Sequence, residues 1–422
     1  MRTVHAHTER RREYWYKNLD RPAEVALYYG FNPMETPVVT KEDARKARAL
    51  CETELRKDAP DSPGRFAIEE KIAVLRLYEE RNMQNWPQPV MLYFGKPILR
   101  QDGSKKSLGK PARTERGSAP TRLHSGGHSG GERTVILEAL GTSNSIAEAL
   151  LIKTALEILK EEEFENLSVH INSVGDRDTV WRFARELSAY YRKNIETLPA
   201  HCRQLLKKDV FDLLSCKNEK CRIIKESAPK SMSFLSEPSR QHFKEVLEYL
   251  EFLEIPYEID HFLVGNRAFA CQTLFEIYDP ESRELCRPLA VGVRYANLGK
   301  KIGLKKDIPG VGARLVFKEK NPSKNLKFLK PKIYFIQLGF EAKLKSLKII
   351  EILRQAKIPM YHGISRDKLT SQISAAENMK IPYTVIMGQK EALENTVIVR
   401  HMTDRSQESV RIENLPQYFK KL

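Results

Sequence analysis

The spacing of apolar residues divides the chain into a long mixed region and a shorter region of alternating strands and helices. Helical spacing predicts helices over 22–30 and 66–83, and a capping box of Ser145 and Glu148 predicts the start of a third helix. Apolar runs and alternating positions predict strands at 88–99, 134–141, 167–175, 261–279, 288–295 and 310–318. Short turns join the last three of these strands, so we expect them to pair in an antiparallel sheet.

Two further segments complete the predicted organisation. Residues 176–256 are almost continuously helical in pattern and lie between two strands, which indicates an inserted helical subdomain. Beyond the basic linker at 318–332, strands and helices alternate, which is typical of a small α/β domain with a mostly parallel sheet. We therefore expect an α+β protein with two domains, 1–325 and 331–422.

Residues 101–133 interrupt this pattern and cannot build a core. The segment contains seven Gly, five Ser and two Pro, with seven Lys or Arg against three Asp or Glu. This composition predicts a flexible basic loop, either without a role or in contact with RNA. Its candidate RNA-binding residues are Lys105, Lys106, Lys110, Arg113, Arg116 and Arg122.

Charge and cysteine content narrow the class of protein. The formal net charge is +16, which favours a polyanionic partner, with nucleic acid before an anionic membrane. The sequence contains no apolar run long enough to span a membrane, and no apolar segment follows the basic N-terminus, so we expect a cytoplasmic protein. "CKNEKC" (216–221) is a C-x4-C pair, and Cys202 precedes it by fourteen residues. This spacing favours ordinary thiols over a zinc site, and we predict no metal.

Five stretches, in their order and spacing, resemble the histidyl-tRNA synthetase family. They are "YYGFNPMETPVVTKED", "NMQNWPQPVMLYFGKPILR", "LVGNRAFACQTLFE", "AVGVRYANL" and "GQKEALENTVIVRHM". The resemblance runs through nearly the whole chain. It implies a class II synthetase-like antiparallel sheet of six to seven strands with a helical insertion, followed by an anticodon-binding-like α/β domain. It also implies a homodimer whose interface includes Pro37 at the proline of class II motif 1.

The resemblance also tests whether the chemistry of the family is present, since its members use ATP to activate histidine and transfer it to tRNA. The family's signature arginine is replaced at Gly265, and its motif 3 arginine is replaced at Glu319. Residues 67–71 stand at the family sequence R-P-E-G-T but lack its proline and glycine, so we expect a continuous helix there. The positions that resemble a remaining ATP and amino-acid pocket are Glu69, Arg100, Glu138, Phe269, Arg294 and Tyr295. ATP and Mg²⁺ would bind only if this site were active.

Removing the cation that stabilises a transition state costs about 2 kcal/mol or more, so the sequence predicts a synthetase-like protein that does not activate histidine. We expect it to bind tRNA or another structured RNA, with Lys390, Arg400 and Arg405 of the C-terminal domain as candidate contacts. A divergent active histidine–tRNA ligase is the first alternative. The second is a regulatory subunit of the kind that partners ATP phosphoribosyltransferase, although such relatives usually lack the anticodon domain and keep the histidine pocket.

Overall fold

The structure is a computed structural model that describes residues 19–54, 68–99, 132–216, 218–266, 269–280, 287–319, 326, 328–363 and 368–422. Most of the predicted basic loop lies outside the described residues, including its six candidate RNA-binding residues. Arg100 also lies outside them. No helix among the described residues is long and apolar enough to cross a membrane.

The first part of the chain builds a large sheet flanked by helices. Its elements before the helical insertion are α1 (Arg21–Tyr28), β1 (Asn32–Pro33), α2 (Lys41–Glu54), α3 (Ile68–Glu80), β2 (Val90–Phe94), β3 (Glu132–Leu140), α4 (Ile146–Glu161) and β4 (Ser168–Gly175). The helices of the insertion are α5 (Arg177–Lys193), α6 (Ala200–Lys208), α7 (Glu219–Glu226) and α8 (Glu237–Phe252). The sheet is completed by β5 (Tyr257–Ile259), β6 (Ala270–Tyr278), β7 (Ala290–Tyr295), the short α9 (Leu298–Lys301) and β8 (Gly310–Lys318).

The sheet has the order β1-β2-β3-β8-β7-β6-β4-β5. The described residues form eight strands of it, so the expectation of six to seven was wrong. The two outermost pairs, β1–β2 and β4–β5, are parallel, and every pair between them is antiparallel. The short outer strands did not stand out in the sequence because two or three residues cannot display an alternating pattern.

Local sequence explains several boundaries. Helix α1 begins after Asp20, whose carboxylate accepts a hydrogen bond from the Ala23 N–H at 2.8 Å. The predicted helix at 66–83 is confirmed as α3. This helix is continuous from Ile68, where the family sequence has a loop with proline and glycine. The single predicted strand at 261–279 was wrong in its first half, because β6 begins only at Ala270.

The predicted capping box at α4 was also wrong. Ser145 has helical backbone angles and makes no side-chain cap, and its hydroxyl instead donates to Glu245 at 2.5 Å. The Glu148 carboxylate is fully buried among other charged groups. Both side chains therefore form tertiary contacts and do not cap the helix, although the S-x-x-E spacing is also that of a local cap.

The C-terminal part forms a second sheet with helices against it. Its elements are β9 (Ile333–Gln337), α10 (Phe340–Gln355), β10 (Met360–His362), α11 (Leu369–Asn378), β11 (Tyr383–Met387), α12 (Gln389–Glu394), β12 (Thr396–His401), β13 (Gln407–Arg411) and α13 (Leu415–Lys420). The strand order is β10-β9-β11-β12-β13. Two of the four pairings are parallel and two antiparallel, so the sheet is mixed rather than mostly parallel.

Charged side chains connect the two parts of the chain. Arg354 of α10 donates to Glu157 of α4 at 2.6 Å and to Glu161 at 3.1 Å. Arg354 also binds Glu351, which accepts a hydrogen bond from the Tyr29 hydroxyl. Burial would raise the pKa of Glu351, but its hydrogen bonds from Arg354 and Tyr29 lower that pKa to about 2. Helix α10 is thus held against α4 by ion pairs and against the end of α1 by the hydrogen bond from Tyr29.

Candidate active site and nucleic-acid face

Three adjacent strands bring together most of the predicted pocket residues. Glu138 lies on β3, Arg294 and Tyr295 lie on β7, and β8 separates these two strands. The Tyr295 hydroxyl donates to Glu138 Oε2 at 2.7 Å. The Phe269 ring packs edge-on to Tyr295, with 6.4 Å between the ring centroids. All four side chains are buried, so this part of the pocket is a packed interior.

A lysine that the sequence did not single out lies at the centre of this cluster. The Lys71 ammonium forms a buried ion pair with Glu138 and lies 4.8 Å from the centroid of the Tyr295 ring. Only 1% of the Lys71 side chain is exposed. Burial lowers the pKa of Lys71, and the Glu138 carboxylate opposes that shift. The signal was available, because Lys71 stands where the family sequence has threonine.

Arg294 is held in a second buried cluster. Its guanidinium binds the Glu148 carboxylate and also donates to the carbonyls of Thr142 at 2.9 Å and Asn144 at 3.1 Å. His242 Nε2 lies 2.7 Å from Glu148 Oε1. Burial would raise the pKa of Glu148, but Arg294 and His242 outweigh it and lower that pKa to about 2. Arg294 is therefore already bound to a carboxylate.

A third buried ion pair involves Glu70, which follows the predicted pocket residue Glu69 in the sequence. Glu70, buried on α3, forms an ion pair with Arg314 of β8. Glu69, the predicted pocket residue, is only half-buried on the same helical turn. The continuous helix therefore presents Glu70 and Lys71 to the sheet in place of a loop with one glutamate.

The position of the replaced signature arginine has no room for a side chain. A Cβ atom built on Gly265 would lie 2.3 Å from Leu274 Cδ2 and 2.7 Å from the Ala270 Cβ. Carbon atoms of different residues do not approach so closely. Any side chain at position 265 would thus require the Leu274 and Ala270 side chains to move.

The position of the replaced motif 3 arginine also contributes to an internal ion pair. Glu319 accepts a hydrogen bond from Arg133 at 2.5 Å, and Arg133 also binds Asp20. Glu319 is therefore a carboxylate that binds an arginine of its own fold.

The described residues do not fit ATP with Mg²⁺. A nucleotide triphosphate requires cations that are free to face its phosphates. Lys71, Arg294 and Arg314 are each paired with a buried carboxylate. Displacing any of them would leave that carboxylate buried and unpaired, which costs several kcal/mol.

The C-terminal sheet carries a different arrangement. Arg400 of β12 and Arg405, which follows that strand, line a cavity of about 280 Å³ together with Thr384, Met402, Ile373 and Glu377. The Nε of Arg400 is buried and has no hydrogen-bond partner among the described residues. Lys390 lies apart from this cavity and is exposed on α12. Two of the three predicted contacts in this domain thus converge on one cleft.

The predicted dimer position has a mixed environment. Pro37 is buried within its own chain, whereas the adjacent Val38 is 47% exposed. The neighbouring Val39 N–H donates to the Leu99 carbonyl at 2.7 Å, and the Leu99 side chain is 52% exposed. An apolar edge formed by Val38 and Leu99 therefore remains open to solvent in the single chain.

Comparison with known proteins agrees with this combination of sheets. The family model for the anticodon binding domain matches residues 332–422. A histidine–tRNA ligase of Halothermothrix orenii is 30% identical over 294 residues, which cover 68% of this chain and 69% of that ligase. One of Dehalococcoides mccartyi is 25% identical over 417 residues, or 95% of this chain and 94% of the relative.

The fold of these proteins is also represented among solved structures. The crystal structure of apo S. aureus histidyl-tRNA synthetase matches with a TM-score of 0.47 and 22% identity, covering 94% of this chain and 93% of that chain. The large antiparallel sheet, the anticodon-domain match and the similarity to histidine–tRNA ligases together define a class II synthetase-like α+β protein with a C-terminal anticodon-binding domain. Its sequence places it in the histidyl-tRNA synthetase family.

Proposed function

We propose that this chain is a member of the family that does not activate histidine and that binds tRNA or another structured RNA. The observation that carries the first half is the Lys71 ammonium bound to Glu138 against the Tyr295 ring. The second half rests on the anticodon-binding domain and on the arginine cleft of Arg400 and Arg405.

The lysine supports inactivity because it occupies part of the predicted pocket. Its ammonium already binds the Glu138 carboxylate and lies against the Tyr295 ring, and both residues are predicted pocket positions. A group tethered to the same chain acts at a high effective concentration, which a free ligand must overcome. The displaced ammonium would also lose its buried ion pair with Glu138.

The RNA half of the proposal depends on charge. The net charge of +16 gives a general attraction to phosphate, and Arg400 and Arg405 bring two guanidinium groups to one cleft. Glu377 also lines the cleft and would repel phosphate, so contacts are expected from the Arg405 side. The proposal treats 1–325 and 331–422 as two domains, with the second as the RNA-binding one.

Histidine-dependent exchange of pyrophosphate into ATP tests catalysis directly. We expect no exchange above a reaction without histidine, with the Halothermothrix orenii ligase as the positive control. Exchange by pure protein would overturn the first half and favour the divergent active ligase. The same assay on Lys71→Thr, which restores the family residue, asks whether the lysine alone blocks the site.

Filter binding of tRNA at two salt concentrations tests the second half. A protein that neutralises four phosphates loses about a hundredfold in affinity between 50 and 200 mM salt. We expect a loss of this size or larger, and a salt slope reduced by about 2 in Arg400→Ala/Arg405→Ala. Arg185→Ala/Arg222→Ala is the control, because both residues are exposed on the helical insertion and carry the same charge. Affinity that is nearly independent of salt would contradict RNA binding.

We also propose that the protein is cytoplasmic and forms a homodimer. The dimer interface would include the edge of Pro37, Val38 and Leu99. Light scattering after size exclusion should give twice the chain mass of 48.7 kDa. Val38→Glu should halve the measured mass, because a charge on an apolar interface opposes association. A wild-type monomer would contradict this part alone.

A further inference from the structure

We infer that the helical insertion contains a thiolate metal site of the zinc class, formed by Cys202, Cys216 and Cys221. The three cysteines come from different local elements. Cys202 lies in α6, Cys221 lies in α7, and Cys216 lies in the segment between these helices. This inference is independent of the proposed function, and the sequence spacing alone did not favour it.

The distances among the sulfur atoms match metal coordination. All three Sγ atoms lie within 4.8 Å of one another, and the Cys202 and Cys216 sulfurs are 3.5 Å apart. Zinc binds thiolates at about 2.3 Å in tetrahedral geometry, which places neighbouring sulfurs about 3.8 Å apart. A disulfide requires about 2.05 Å. The Cys202–Cys216 separation is therefore close to the value for a shared metal ion and far from that of a disulfide, and Cys221 lies within reach of the same ion.

The surroundings of the sulfurs supply a second observation. Cys202 and Cys221 are fully buried, and so is Tyr191 of α5. The Tyr191 hydroxyl is buried and has no hydrogen-bond partner among the described residues. This hydroxyl lies within electrostatic range of Cys221, Cys216 and Cys202. A metal-bound thiolate or water would accept the hydrogen bond that this hydroxyl otherwise lacks.

Charge and chemistry select the metal. Three thiolates and a divalent ion carry a net charge of about −1, and residues 200–226 contain seven Lys or Arg against four Asp or Glu. Soft thiolate ligands favour zinc over magnesium or calcium. The three cysteines leave one position for water or an external ligand, and the ion would join α6 to α7.

Metal analysis of the full-length chain tests this inference. The chain is purified under reducing conditions, incubated with Zn²⁺ and desalted, and we expect about one zinc ion per chain. Loading with Co²⁺ should give charge-transfer and tetrahedral d–d absorption. Cys202→Ser and Cys221→Ser should each reduce bound zinc at least about tenfold. Cys271→Ser is the matched control, because this thiol lies in β6 outside the cluster, and it should keep the zinc.

A second measurement does not depend on how well the variants fold. Removing zinc from the wild-type chain with a chelator should expose new trypsin cleavage sites between residues 200 and 226, and adding zinc back should protect them. A wild-type chain that binds no zinc under these conditions overturns the inference. So does zinc that persists in the Cys202→Ser/Cys221→Ser variant, or mass spectrometry that finds a Cys202–Cys216 disulfide in the purified protein.

Discussion

Replacing Lys71 with methionine should destabilise the protein by about 3–5 kcal/mol. Methionine retains most of the volume and the apolar stem of lysine but removes the ammonium. Glu138, which is 1% exposed, would then keep only the Tyr295 hydroxyl as its described partner. Leaving a buried charge without its counterion has this typical cost, and Coulomb attraction across such a short contact is only weakly screened.

A double-mutant cycle separates the ion pair from the cost of the unpaired carboxylate. Glu138→Gln keeps a hydrogen-bond acceptor for Tyr295 and removes the charge. We expect Lys71→Met/Glu138→Gln to lose at least about 2 kcal/mol less than the sum of the single variants. Urea unfolding followed by circular dichroism measures the free energies of unfolding. If Lys71→Met unfolds within about 0.5 kcal/mol of the wild type, the ammonium contributes no significant stability and the argument for an occupied pocket fails.

Three further predictions use charges at other positions. Burial holds the pKa of His362 at about 4, against 6.5 for a free imidazole. As the pH decreases, the imidazole is therefore protonated in the unfolded chain before it is protonated in the folded chain. The free energy of unfolding should fall by about 3 kcal/mol between pH 6.5 and pH 4. His362→Phe should lose this pH dependence, as measured by urea titrations. Glu148, with its pKa lowered from 4.5 to about 2, should contribute about 3 kcal/mol above pH 4.5 that is lost as the pH falls towards 2. Acid unfolding of Glu148→Gln should lack that step, and an unchanged step would contradict the assignment. Arg354→Ala should cost about 2 kcal/mol and increase amide hydrogen exchange in α10, because Arg354 is partly exposed and joins α10 to α4. Arg411→Ala, which alters a 74% exposed side chain, should have little effect.

Much of the fold followed from the sequence because its signals are local. Periodicity placed α3 and β8, and the turn at Gly30 ended α1 with a backbone angle that favours glycine. The resemblance to the synthetase family implied an antiparallel sheet with a helical insertion, whereas the order of the strands came from the structure. Strands as short as β1 and β5 were missed for lack of length, and S-x-x-E at Ser145 was misread because a cap and a tertiary contact can share one spacing.

The candidate site was predicted only in part, for a related reason. Glu138, Phe269, Arg294 and Tyr295 were identified from their positions, and the structure brings them into one region of the sheet. The sequence did not indicate that Lys71 would bind one of them, since the two members of this pair are 67 residues apart.

By itself, the sequence determined the type of each long element, the basic charge and the absence of two arginines on which the family's chemistry depends. These properties belong to single residues or to neighbours along the chain. Only the tertiary structure decided which charges neutralise each other, whether the space at Gly265 is closed, and whether Cys202, Cys216 and Cys221 meet. Ion pairing, packing and metal coordination depend on distances between atoms of distant residues, and those distances are set by how the helices pack on the sheet.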